Sequence, residues 1–217
     1  VELSVSHYLL ARALEMNGMK LADVKTVNTS DADIVSAFST PDVVAVAAWN
    51  PQLAEIKSTA GAAEVFNSSQ IPNEILDLMT VSTATLKANP NLGKALVGAW
   101  YEVLGIMSKG DAQAKEAIAE MAKLSGTTPD KFEAQLKTTF MYYKPADAVA
   151  YATGAEITKN ENAVRQFSFA QGLFGPNAKS VDAIGIEFTG GKLLGDKANV
   201  KLRYDPSFMQ MAADGKL

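Results

Sequence analysis

The chain has 217 residues, which is enough for one large or two small domains with a hydrophobic core. Hydrophobic residues make up 47% and charged residues 20%, and the net charge is −4 with acids and lysines interspersed. The absence of a basic block argues against nucleic acid as a partner, and no apolar run approaches the ~20 residues that a bilayer span needs.

The chain contains no cysteine and a single histidine, His7. These counts exclude disulfides, thiolate metal sites and multi-histidine metal sites, so we expect neither a metal nor a cofactor. A catalytic triad would have to use His7, which has no sequence-local nucleophile or carboxylate partner. A glycine-rich phosphate loop and a Gly-x-Ser-x-Gly elbow are also missing. We therefore expect that the protein is not an enzyme.

The first eighty residues alternate helical patterns with short apolar runs. Ser4 or Ser6 can cap a helix that ends near Gly18, and residues 30–33 begin a second, short helix. The apolar runs, predicted as strands, lie at 23–28, 42–48, 64–66 and 75–81. This alternation predicts a doubly wound parallel sheet in an α/β lobe over residues 1–80.

Residues 81–217 form a second, mostly helical part. Amphipathic stripes predict helices at 90–110, 111–124, 128–137, 145–151 and 156–172, with Trp100 buried on the first. Two glycines after Thr189 predict a hairpin between strands at 184–188 and 192–194. A strand at 200–204 and a short helix from Pro206 complete the chain.

The segment 42–52 indicates where a ligand would bind. Its apolar run is typical of a strand buried on both faces, and it stops at Trp49, Asn50 and Pro51. Asn is a favoured N-cap and Pro a favoured first helical residue, so a helix is expected to begin at Pro51. Ligands of open α/β sheets bind at this carboxyl edge of the strands. The alternative is that Trp49 only closes the end of the core.

Three strand-to-helix junctions are expected to meet at this edge and to hold a small polar solute by hydroxyls, amides and free N–H groups. The predicted contacts are Ser4, Ser6, His7, Ser30, Asp31, Trp49 and Asn50. Glu2 and Asp77, together with Asp31, would suit a cationic solute. For each of these residues the alternative is an ordinary helix cap or a solvated side chain.

Several sequence segments resemble those of one protein family. Residues 3–8 (LSVSHY) resemble the Gly-Ser-Thr-x-His-Tyr helix start of nitrate/sulfonate/taurine-type periplasmic binding proteins. Residues 48–51 (AWNP) are similar to the Trp-x-Pro turn of that family about forty residues later, and 28–33 fit the loop between them. Five longer segments are similar to one subgroup of this family, the urea ABC transporter substrate-binding proteins associated with urea carboxylase. These segments are VELSVSHYLLARALE, VNTSDADIV, WNPQL, SSQIPNEILDLM and LGDKANVKLRYD.

The resemblance implies a type II periplasmic-binding-protein-like fold, in which two lobes close on a small solute and deliver it to an ABC transporter permease. It implies a periplasmic location, with membrane contact only through the permease or a lipid anchor. It also implies that the chain lacks the N-terminal part of the first lobe, about a hundred residues before Val1. Residues 81–217 would then return to that lobe.

Two departures from the family pattern bear on the solute. Leu3 stands where the family often has Gly, and Val5 where it often has Thr. Both changes remove polar contacts for an oxyanion. They argue against nitrate or sulfonate and favour a small nitrogen compound such as urea or guanidinium.

Two alternative functions fit the same scaffold. One is an enzyme similar to the thiamine-pyrimidine synthases, with His7 as its reactive group. The other is a cytoplasmic ligand-sensing domain that works without a transporter.

Overall fold

The computed structural model describes residues 1–217 as a helix-rich α/β chain with one small sheet. The helices are α1 (Val5–Met16), α2 (Ile34–Phe38), α3 (Gln52–Lys57), α4 (Thr83–Ala88), α5 (Pro90–Met107), α6 (Ala112–Leu124), α7 (Pro129–Leu136), α8 (Pro145–Thr153), α9 (Ala155–Ala170) and α10 (Ser207–Ala213). The strands are β1 (Gly185–Glu187), β2 (Leu193–Leu194) and β3 (Val200–Arg203). The predicted α/β class is confirmed, and no helix combines the length and hydrophobicity of a membrane span.

The chain divides into two compact units. The first comprises Val1–Leu76 and Asn160–Ala183, and the second comprises Asp77–Lys159 and Ile184–Leu217. Each unit is therefore built from two separate stretches of chain, and α9 contributes residues to both.

The first unit is organised around α1. Tyr8, Ala11 and Leu14 are buried at a spacing of three residues, so that they share one face of the helix. The helix ends in a C-terminal cap where Gly18 adopts a φ of 72° and the Met19 amide bonds to the Leu14 carbonyl. The remaining core positions of this unit are Ile34 of α2, Ile56 of α3 and Ile71.

The apolar runs of the first unit differ from the prediction. Residues 23–28, 42–48, 64–66 and 75–81 are not strands, and no backbone–backbone hydrogen bond joins them into a ladder. Val44, predicted to be buried, has 91% of its surface exposed. Apolar and β-branched side chains favour a strand, but a ladder also needs a neighbouring main chain, and here these runs do not pair with one another.

The second unit follows the predicted pattern closely. Helices α5 to α10 form close to their predicted ranges, with most of α9 in the first unit, whereas α4 was not predicted. Trp100, predicted to be buried, is half exposed, and the buried residues of α5 are Gly93 and Leu104. The predicted hairpin is confirmed, because β1 pairs with β2 in antiparallel fashion, with Ile186 opposite Leu194. β1 also pairs with β3 in parallel, giving the strand order β2–β1–β3.

Candidate solute-binding site

The first turn of α1 has unused backbone donors. Ser4 is its N-cap residue, but the Ser4 hydroxyl donates to the Val1 carbonyl at 2.5 Å and caps no helical amide. The first intrahelical bond runs from the Tyr8 amide to the Ser4 carbonyl. The amides of Val5, Ser6 and His7 consequently have no acceptor within the protein. Such a turn can bind an oxygen acceptor.

Ser6 adds an unpartnered polar group to the same turn. It is only 7% exposed, and its hydroxyl forms no hydrogen bond within the protein. The buried side-chain atoms without a partner do not include the Ser6 oxygen, so this hydroxyl reaches the surface and is open to a polar contact. Ser6 therefore has the capacity for one more polar contact at the start of α1.

His7 adds a side-chain donor. Its Nδ1 accepts a hydrogen bond from the Leu3 amide at 3.0 Å, which places the imidazole proton on Nε2. Leu3 itself has a φ of 58°, in the left-handed region that favours glycine. The segment before α1 is thus held in a strained turn by His7 and by the Ser4–Val1 hydrogen bond.

The loop that precedes α2 meets the start of the chain at one point. The Glu2 amide donates to the Asn28 side-chain oxygen at 3.0 Å, while the Glu2 and Asp31 side chains are exposed. The Ser30 hydroxyl donates to the Asp33 carboxylate at 2.6 Å and accepts from the Asp33 amide at 3.3 Å. Ser30 is therefore satisfied inside its own turn.

The remaining predicted contacts lie elsewhere. Trp49 is 42% exposed just before α3, and Asn50 is half-buried. The helix begins at Gln52, one residue later than predicted, and Asn50 is not its N-cap. No hydrogen bond or ring contact joins the Trp49 or Asn50 side chain to the start of α1. Asp77 is exposed and belongs to the second unit.

A charged cluster on α1 was not predicted from the sequence. Glu74 accepts hydrogen bonds from the Tyr8 hydroxyl at 2.5 Å and from Arg12 Nε and Nη2 at 2.7 and 2.8 Å. The Arg12 guanidinium lies 5.1 Å from the centre of the Phe167 ring, and the Tyr8 ring meets that ring edge-on at 5.4 Å. The only signal in the sequence is that Tyr8 and Arg12 are four residues apart on one helix, since Glu74 lies more than sixty residues away.

The cluster shifts the pKa values of its members. Burial raises the pKa of Tyr8 above its usual range, and the hydrogen bond to Glu74 adds to the effect. Burial alone would raise the pKa of Glu74, but hydrogen bonds from Arg12 and Tyr8 outweigh it and hold that pKa below its ordinary value. At neutral pH the cluster is a phenol, a guanidinium and a carboxylate, with opposite charges paired.

The second unit contains an open groove of about 560 Å³ between α8, the β-sheet and α10. The Glu187–Arg203 ion pair, at 3.0 Å, lies along it, and Phe188 stacks on Tyr204 at 5.3 Å. None of the predicted site residues lines this groove.

Comparison with known proteins identifies the class. The model of the NMT1-like family matches residues 1–124, more than half of the chain. The chain therefore belongs to the NMT1-like family, and its similarity to binding proteins of the nitrate/sulfonate/taurine type is confirmed at that level.

One curated relative is similar to part of the chain. It is a protein of Escherichia coli (strain K12) with the name "Putative aliphatic sulfonates-binding protein", 32% identical over 128 residues. The match spans 57% of this chain and 37% of the relative, so the chain matches well under half of the relative's length. No solved structure matches the chain.

Proposed function

We propose that this chain is part of the solute-binding component of an ABC importer, which works outside the cytoplasm with a transporter permease and is not an enzyme. Membership of the NMT1-like family and the name of the E. coli relative support a solute-binding role. The single observation that carries the proposal is the first turn of α1, where the Ser6 hydroxyl has no partner within the protein and lies beside three free amides.

We further propose that the solute is a small nitrogen compound with an oxygen acceptor, such as urea. The α1 turn offers donors: the Val5, Ser6 and His7 amides and the His7 Nε2–H group. Urea has a carbonyl oxygen that can accept from them, whereas guanidinium has donors only. A sulfonate, which the name of the relative suggests, also offers oxygen acceptors and is the competing solute.

The other predicted contacts remain part of this proposal, and they differ in the hydrogen bonds that they already form within the protein. Ser4 and Ser30 already donate their hydroxyl protons to protein oxygens, so each can only accept from a solute. Trp49, Asn50 and Asp31 have no side-chain hydrogen bond within the protein. Glu2 and Asp77 are exposed carboxylates, which would matter for a cationic solute.

The test compares two buried serines of the first unit by titration calorimetry with urea and with taurine. Ser6 and Ser168 are 7% and 8% exposed, and only Ser6 lies at the start of α1. We expect Ser6→Ala to weaken binding about fivefold, since one hydrogen bond to a solute contributes roughly 1 kcal/mol. Ser168→Ala should leave binding unchanged. Equal affinity in the wild type and in Ser6→Ala would contradict the proposed site.

A further inference from the structure

The Glu74 cluster fastens α1 to two other stretches of the first unit. Tyr8 and Arg12 reach Glu74 in the segment 71–76, and the same two residues contact Phe167 of α9. Tyr8 is 7% exposed, and the side chains of Arg12 and Glu74 are about one-fifth exposed. The first unit consists of two separate stretches of chain. This cluster links α1 to the segment 71–76 of the first stretch and to α9 in the second.

The geometry constrains rotation as well as position. Tyr8 and Arg12 lie one helical turn apart, and consecutive residues are about 100° apart around a helix. The paired bonds of Arg12 to both Glu74 oxygens are directional, unlike a simple charge attraction. A turn of α1 about its axis would therefore break all three hydrogen bonds to Glu74 at once.

We propose that Tyr8, Arg12 and Glu74 are positioning residues that fix the rotation of α1 and so the direction in which its first turn presents Ser6 and its free amides. This inference rests on the proposed function, because it concerns the same turn. Tyr8 is two residues from Ser6, and its amide forms the first hydrogen bond of the helix. Anchoring Tyr8 thus anchors the turn that carries the donors.

A second ion pair of the first unit provides a matched control. Lys57 at the end of α3 donates to Glu64 at 2.6 Å, and Asn67 donates to the same carboxylate. The pKa of Glu64, like that of Glu74, is below its ordinary value, because of hydrogen bonds from Lys57 and Asn67. Glu64 bonds to Lys57 and Asn67 and forms no hydrogen bond with α1, so Glu64→Gln removes a comparable carboxylate that does not hold the helix.

The experiment measures backbone amide exchange in the full chain for the wild type, Glu74→Gln, Arg12→Lys and Glu64→Gln. We expect Glu74→Gln to speed exchange at the hydrogen-bonded amides of α1, from Tyr8 onward, about tenfold more than at the amides of α2 and α3. Arg12→Lys, which keeps the charge but loses the forked geometry, should show the same pattern. Glu64→Gln should leave α1 exchange at the wild-type rate.

Two results would overturn the positioning role. One is unchanged exchange in α1 for Glu74→Gln, and the other is an equal increase across α1, α2 and α3, which would indicate general destabilisation.

Affinity for urea, measured well below the melting temperature of every variant, gives a second readout. We expect a weakening of about tenfold for Glu74→Gln and none for Glu64→Gln. An unchanged affinity for Glu74→Gln would also overturn the positioning role. A wild-type chain that binds neither urea nor taurine would contradict the proposed function, and the exchange comparison would then decide this inference by itself.

Discussion

At the scale of single residues, the start of α1 combines features that folding alone does not favour. The Ser6 hydroxyl has no partner within the protein, three amides lack acceptors, and Leu3 is in a left-handed conformation. Unsatisfied groups and strained residues tend to concentrate at binding sites. Their occurrence within five consecutive residues is the reason for assigning the solute site here.

The strain at Leu3 leads to a testable prediction. A left-handed φ costs a non-glycine residue about 1 kcal/mol, and glycine adopts it freely. Leu3→Gly should therefore raise the melting temperature, while Leu3→Ala, which keeps the same backbone restriction, should not. Scanning calorimetry measures the melting temperatures of both variants. A melting temperature of Leu3→Gly below that of Leu3→Ala would contradict the strain at Leu3.

The sequence gives no reason to prefer the Ser6 hydroxyl over those of Ser4 and Ser30 as a solute contact. Ser4, Ser6 and Ser30 all read as helix caps with spare hydrogen-bonding capacity. Only the structure distinguishes them, because Ser4 and Ser30 donate to nearby oxygens and Ser6 does not. Burial and partnership depend on the tertiary fold, which local patterns do not contain.

At the scale of elements, the Glu74 cluster makes the stability of the first unit depend on pH. The folded-state pKa of Glu74 is below its ordinary value of 4.5, so the ionised form is the one that folding favours. Its contribution is complete above the unfolded-state pKa and is lost as the pH falls through the folded-state value.

The comparison of the wild type with Glu74→Gln tests this linkage. We expect the wild type to be more stable by about 2 kcal/mol at pH 7, because charge-assisted hydrogen bonds are lost in the variant. The difference should hold from pH 8 to pH 6 and shrink below pH 4.5. Thermal unfolding across this range measures it, and a difference that grows towards low pH would have the wrong sign.

Two glycines in the second unit test how tightly its elements pack. A Cβ at Gly185 would overlap the Asp196 carbonyl oxygen, at the irregular step where β1 pairs with β3. A Cβ at Gly105 of α5 would meet nothing within 4 Å. Gly185→Ala should destabilise the chain by about 2 kcal/mol, whereas Gly105→Ala should stabilise it by up to about 1 kcal/mol. Equal melting temperatures for the two variants would contradict the packing of β1.

The predicted helices formed, whereas the strands predicted in the first unit did not form, and the difference has a physical reason. A helix satisfies its main chain within itself, so amphipathic spacing and a Pro near the start suffice to locate α5 and α8. A strand satisfies its main chain with a neighbour that a local pattern cannot show. The β1–β2 hairpin could be predicted because β2 follows β1 within six residues, while the run 42–48 has no such neighbour.

At the scale of the whole molecule, the unpaired apolar runs are exposed. Val44 and Val65 are 91% and 86% exposed, and the main chain around each makes no ladder. Runs rich in β-branched residues with free main-chain groups favour pairing between copies.

We therefore expect the 217-residue chain to associate as its concentration rises. Val44→Lys should suppress that association, because a charge on an exposed strand-like run opposes pairing. Leu124→Lys is the control, since Leu124 is 79% exposed at the end of a helix. Sedimentation velocity over a hundredfold concentration range measures the effect, and a wild type that stays monomeric throughout would contradict it.

The central claim, that the α1 turn binds a small solute with an oxygen acceptor, is tested most directly by thermal shift with urea, guanidinium and taurine. A ligand at a hundred times its dissociation constant adds about 2.7 kcal/mol, which corresponds to roughly 5 to 10 °C for a chain of this size. We predict a rise with urea that Ser6→Ala reduces by about one third, since a fivefold weaker ligand still adds about 1.8 kcal/mol at the same concentration. A rise with taurine alone would keep the site and change the solute. A rise with guanidinium alone, or with none of the three, would contradict the claim.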